Sequence, residues 1–222
     1  MVGTLPTIST VPLPRRPPDP LRPGVRPEVR ARHWYENDLG WETVPGAPLR
    51  LVTGVRFDVL DVPAEAGAAG LRRLTAGSPV ALQGDRMRLL VAAGSAEELP
   101  GLLEWLEWGA LAPDLLALGE GGHMDAPVPP EPVFAGGRPP RGRAAVPLVG
   151  PVQGAAVWLR PPEPGREVEA SLPTLSALGG AQDAPDLVRL VETVATHCHR
   201  VRLRRPHAQP AVRHQTQPLA FS

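Results

Sequence analysis

The chain has 222 residues, zero formal net charge, one cysteine, thirty prolines and twenty-three glycines. Zero net charge excludes a global field that would steer the protein to nucleic acid or to a membrane. The lone Cys198 excludes an internal disulfide framework and fits a reducing compartment.

No apolar run reaches the length of a membrane span. Prolines interrupt the N-terminus where a signal peptide needs a continuous apolar stretch, so a cytoplasmic location is expected. All twenty-three basic residues are arginine, and Ala, Gly and Pro are abundant beside them, the mark of a GC-rich coding sequence. Proline crowds the first thirty residues, the stretch 126–151 and the C-terminal tail. The length suits one domain of about 100–200 residues with appendages. The expected division is a disordered proline-rich arm over 1–26, a domain over 27–203 containing a proline/glycine loop at 128–151, and a disordered basic tail over 204–222.

In the arm, Pro6, Pro12, Pro14, Pro17, Pro18, Pro20 and Pro23 leave no room for a helix or a strand ladder. Pro27 suits a first helical turn, and Val29, His33, Trp34 and Leu39 follow at near-helical spacing up to Gly40. Trp41 to Pro48 reads as a turn-rich connection. Leu49 to Asp61 holds one or two strands with Gly54 between them, and Ala64 to Leu74 is a short helix. Pro79 to Gln83, a Gly84-Asp85 turn and Met87 to Ala92 make a hairpin. Ser95 is the expected N-cap of a helix with Glu97 and Glu98 in its first turn. Leu99, Leu102, Leu103 and Leu106 mark that helix's core face, and Trp105 and Trp108 are expected to join them. Asp114 to Leu118 is a short strand. The turn from Gly119 to Gly122 leads into another strand ended by Pro127, and Ala155 to Arg160 is a last strand. The closing helix spans about Asp183 to Arg202, with Leu187, Leu190, Val191 and Val194 on one face. Irregular alternation of hairpins and crossovers predicts an α+β fold, a mixed or antiparallel sheet packed with helices.

Three segments, taken in order, resemble the N-terminal domain of bifunctional DNA primase/polymerase proteins of the archaeo-eukaryotic primase superfamily. Phe57-Asp-Val-Leu-Asp61-Val-Pro63 resembles the strand with the paired-acid motif. Gly84-Asp-Arg-Met87-Arg-Leu-Leu-Val resembles the strand with the Gly-Gly-x-His pattern. Asp114-Leu-Leu-Ala-Leu-Gly followed by Gly121-Gly-His-Met-Asp-Ala-Pro127 resembles the third acidic strand and its ending. The resemblance spans roughly Arg32 to Leu203. It implies metal-dependent nucleotidyl transfer with Mg or Mn held by the acids.

The departures bear on that implication. Two-metal transfer needs clustered carboxylates around two ions about 4 Å apart. With Asp61 as the first acid, Pro63 stands where the second should be. Asp58 and Asp61 are three apart, and on a strand such residues project to opposite faces. Met87 occupies the histidine position and holds no phosphate charge. The candidate catalytic residues are therefore Asp58, Asp61 and Asp114, with Asp61 and Asp114 as metal ligands only in an active enzyme; no cofactor is otherwise expected.

Other constellations are weaker. His197, Cys198 and His199 lie on one helix, where residues two apart point about 200° from each other, so they cannot share an ion. His123 beside Asp125 lacks a nucleophile to activate. Gly119-x-Gly-Gly has no following Lys or Ser/Thr and is not a phosphate loop. The run His199 to Arg205 is the most basic patch, and Arg200, Arg202, Arg204 and Arg205 are candidate phosphate contacts, set against their role in complementing a helix dipole.

The expected function is a catalytically degenerate primase/polymerase-like protein that acts by binding DNA, a nucleotide or a protein partner. One alternative is an active nucleotidyltransferase using Asp61 and Asp114. The other is an interaction module whose proline-rich arms recruit readers of polyproline helices.

Overall fold

A computed structural model of the chain describes residues 26–111, 113–130, 154–165, 167–175 and 185–204. The predicted arm before Arg26, most of the predicted loop and the tail from Arg205 lie outside the described residues.

Helix α1 (Pro27–His33) opens with Pro27, whose missing N–H costs nothing at that position. It continues as a π turn over Trp34–Asp38. The connection expected at Trp41–Pro48 contains a two-residue strand, β1 (Thr43–Val44). It pairs antiparallel with β2 (Arg50–Val52). Strand β3 (Asp58–Pro63) runs into α2 (Ala64–Gly70). The predicted hairpin is β4 (Val80–Gln83) and β5 (Arg86–Val91), turning at Gly84 with φ +59°. Then come α3 (Ser95–Trp105), β6 (Leu116–Leu118), β7 (His123–Asp125), β8 (Val157–Arg160) and α4 (Leu187–Arg204).

The strands form two antiparallel sheets, β1-β2-β7 and β6-β3-β5-β4-β8. The five-stranded sheet is a middle layer with both faces covered, which explains why β3 is buried along almost its whole length. Leu60 and Val62 of β3, Leu89 and Val91 of β5 and Val80 of β4 face the helices. There they bury Leu187, Leu190, Val191 and Val194 of α4 with Leu99 and Leu102 of α3. The alternate residues Val59, Leu90 and Ala81 face the small sheet and the α1 segment, meeting Leu51, Met124, Tyr35, Trp41 and Phe57. Each such side chain removed from water stabilises the fold by about 1.5–3 kcal/mol before entropy is counted.

Two polar links tie the layers together. The Tyr35 hydroxyl donates to the Pro127 carbonyl at 2.7 Å and accepts from Trp158 Nε1 at 3.0 Å. Gln83 Nε2, on β4, donates to Asp125 Oδ2, on β7, at 2.7 Å. The glycine turn after β6 locks onto the β2–β3 connection, where Thr53 Oγ1 donates to the Gly119 carbonyl at 2.7 Å. Gly54 has φ +88° there, and a Cβ on it would strike the Glu120 backbone.

Two expectations need correction. Trp105 lies outside the core, 72 % exposed, because the helix ends on it. Glu107 takes φ +63°, and the Trp108 N–H closes back on the Leu103 carbonyl at 2.8 Å. That is the left-handed helix stop usually built on glycine. Ser95 is not the cap of α3 either: Gly94 holds that place and makes no side-chain cap bond.

Candidate functional site

Antiparallel register brings the first predicted acid face to face with arginine. Asp61 on β3 is opposite Arg88 on β5 and opposite Leu116 on β6. Arg86 lies two residues before Arg88 and so shares its face. Arg86 Nε donates to Asp61 Oδ1 at 2.5 Å, and its Nη2 donates to the Asp61 carbonyl at 2.8 Å. Its Nη1 reaches Asp114 Oδ1 at 2.7 Å, in the segment leading into β6. Arg88 Nε takes the other Asp61 oxygen, Oδ2, at 3.2 Å.

The network is half-buried, with Asp61 and Arg88 side chains 13 % and 14 % exposed. Burial works against the Arg86 charge. The hydrogen bonds and charges of Asp114 and Asp61 outweigh it and hold the guanidinium above its ordinary value. Planar, always charged and equipped with several donors, arginine suits this three-point role where lysine would not.

Asp58 is elsewhere. Its even-numbered position sends it to the helix face, where it is fully buried and its Oδ2 accepts the Ala96 N–H at 2.8 Å. It therefore caps α3 from a neighbouring strand, the role expected of Ser95. Burial pushes its carboxyl above the usual carboxylate range, helped by the charge of Glu97. The N–H groups of Ala96, Gly94 and Gly54 offset this in part.

The structure thus brings Asp61 and Asp114 together and leaves Asp58 on the opposite face. The two acids that meet do not fit a two-metal centre, since the Arg86 guanidinium spans the gap between them and, among the described residues, no third acid completes a metal-holding group. Among the described residues no group of three or more His, Cys, Asp or Glu is placed to hold a metal ion. The sequence reading missed Arg86 and Arg88. Their spacing on a strand facing Asp61 was the available signal.

Cys198 is buried and donates to the Asp114 carbonyl at 3.4 Å, and burial, then the charge of Asp114, pushes its thiol up to about 12. The His199 ring sits 6.0 Å from that of Trp108. Asp125 is held by Gln83, and His123 is exposed. Of the four arginines, Arg202 Nη1 donates to the Leu111 carbonyl at 3.0 Å and Arg204 pairs with Glu65. Arg200 is exposed, and Arg205 lies outside the described residues. Among the described residues no helix is long and apolar enough to cross a membrane.

No family model, curated protein or solved structure matches the chain. What the geometry defines is an α+β domain of antiparallel sheets packed with helices, carrying an internally neutralised acid–arginine network.

Proposed function

We propose that this is a primase/polymerase-like domain that has given up nucleotidyl transfer and acts by binding a protein partner. The observation that carries the reading is Arg86, whose guanidinium lies between the carboxylates of Asp61 and Asp114. Transfer through two metals requires carboxylates that can both turn to exchangeable ions. Here the acids are committed to a side chain of the fold, and Asp58 serves a helix on the other face. A protein partner is favoured over nucleic acid because two of the four candidate arginines are spent on contacts within the chain.

Calorimetric titration with manganese, with and without a nucleoside triphosphate, tests the reading on the full chain and on Asp61→Ala. The expected result is no saturable heat from either protein. Saturable binding by the wild type that disappears in Asp61→Ala overturns the proposal and restores the polymerase alternative.

A further inference from the structure

A cavity of about 380 Å³ shares no residue with the Asp61–Arg86 network. Its volume is in the range of small-ligand sites. Thr75 and Gly77 line it from the connection between α2 and β4. Glu163, Glu167, Ala170 and Ser171 line it from the chain after β8, with the buried Val168 among them. Hydrogen bonds hold the two segments together. Ser78 Oγ donates to the Ser171 carbonyl at 2.6 Å, and Ser171 Oγ lies 3.0 Å from the Gly77 carbonyl. Arg160 of β8 braces the same wall, its Nη1 donating to the Thr75 carbonyl at 3.2 Å.

The protons of the lining hydroxyls are already spent. Ser78 Oγ gives its single proton to Ser171, so in its 2.9 Å contact with Thr75 Oγ1 it is Thr75 that donates. The Ser171 proton goes to the Val168 carbonyl, 2.7 Å away, or to that of Gly77. Thr75 and Ser171 keep lone pairs but have no proton left for a ligand. Glu163 and Glu167 add two carboxylates, and Gly77, Val168 and Ala170 add no polar side chain. The lining side chains therefore accept hydrogen bonds and donate none.

We propose that this cavity binds an organic cation, a guanidinium or alkylammonium group. Such a group brings several donors and a positive charge to a lining of acceptors, and its alkyl stem packs on Val168 and Ala170. An anion finds no side-chain donor there and meets two carboxylates. A calcium ion wants about six to eight oxygen ligands, and among the described residues no group of three His, Cys, Asp or Glu is placed to hold a metal. The proposal goes beyond the binding reading above and does not depend on it, since a free small cation and an arginine side chain of a partner present the same group. Its residues are separate from Asp61, so a metal bound at the cavity would survive Asp61→Ala and the two tests fail independently.

The test is titration of the isotope-labelled full chain, followed through backbone amide NMR shifts. The probes are agmatine, which carries a guanidinium and an ammonium group, a short peptide with one central arginine, and butyrate as an anionic control. Agmatine is expected to give saturable shifts centred on residues 75–77 and 167–171, and butyrate none. Glu167→Gln should weaken agmatine binding roughly threefold to tenfold. Ala170→Leu fills the cavity at an exposed position without changing charge, and should abolish binding while the thermal unfolding midpoint stays near that of the wild type. Tighter binding of the peptide than of agmatine identifies a partner's arginine as the source, and the reverse order a free small cation. No saturable shift with either cation overturns the proposal, as does saturation by butyrate or indifference to both substitutions. Calcium that saturates the same amides and displaces agmatine also overturns it, in favour of an inorganic ion.

Discussion

Asp58 and Asp61, three residues apart on β3, serve opposite faces of one sheet. Asp58 turns to the helix layer and caps α3 through the Ala96 N–H. Asp61 turns to the other face and is held by Arg86 and Arg88. Period-two alternation makes the separation unavoidable once β3 is a regular strand. A pair that resembles a shared metal motif in sequence is thereby divided into two structural duties.

The two duties differ in their response to pH. The raised pKa of Asp58 means the native state keeps that proton at a pH where the unfolded chain, near its ordinary 3.8, has lost it. Between those values the native state binds more protons, so the Asp58 contribution to stability is full below the lower value and declines as pH rises through the upper one. Asp58→Asn keeps an acceptor for the Ala96 N–H and removes the titration. Relative to wild type, the variant should gain stability as pH rises above the ordinary carboxylate value, and the gain should level off once the folded-state value is passed, measured by denaturant unfolding. A difference that stays flat from acid to neutral pH contradicts the assignment.

Arg86 is the keystone of the other face. Arg86→Ala leaves Asp114 without that donor and Asp61 with Arg88 alone, and should cost about 1–3 kcal/mol at neutral pH. Arg86→Lys should recover only part of this, because one ammonium cannot span both carboxylates and the Asp61 carbonyl. Full recovery by lysine in urea unfolding would show that charge alone matters there, and the three-point geometry would lose its significance.

Much of the architecture was legible because it is local. The apolar face of α4 followed from helical periodicity, and Leu187, Leu190, Val191 and Val194 are all buried. The β4–β5 hairpin followed from its Gly84-Asp85 turn. What was hidden depends on register or on a distant partner. Arg86 meets Asp61 only because Pro63 pairs with Arg86 and Asp61 with Arg88. Ser95 looked like a cap because nothing local shows that a strand carboxylate takes the place. Trp105 looked like core because its spacing from Leu102 is right, whereas the stop at Glu107 is set by one backbone angle that composition does not announce.

Tyr35 carries a further expectation. Its ring is fully buried against Trp34 and Trp41, and burial pushes its phenol well above the ordinary value. The hydroxyl serves both the Pro127 carbonyl and Trp158 Nε1, so it joins the α1 segment to β8 and to the chain leaving β7. Tyr35→Phe changes the volume little and orphans the buried Pro127 carbonyl and the partly buried Trp158 Nε1. The expected loss is about 1–3 kcal/mol in thermal or urea unfolding. A loss under about 0.5 kcal/mol would mean that water replaces the hydroxyl and that the link carries little.

Glycine in two helices offers the sharpest comparison, because the same substitution should act with opposite sign. An alanine replacing glycine inside a helix normally gains about 0.5–1 kcal/mol through backbone entropy. At Gly101 on α3 nothing lies within 4 Å of the added Cβ, so Gly101→Ala should show that gain. At Gly70 on α2 the added Cβ would sit 2.8 Å from Val194 Cγ1 and 3.1 Å from Leu190 Cδ1. Both belong to α4, whose Leu190 and Val194 are completely buried and cannot swing aside. Overpacking of that kind costs about 1–3 kcal/mol, more than the entropy gained. Gly70→Ala should therefore be destabilised and Gly101→Ala stabilised in parallel unfolding curves. Stabilisation of both would mean that α2 can move off α4 without penalty, and the close approach of the two helices would no longer explain the small residues along α2.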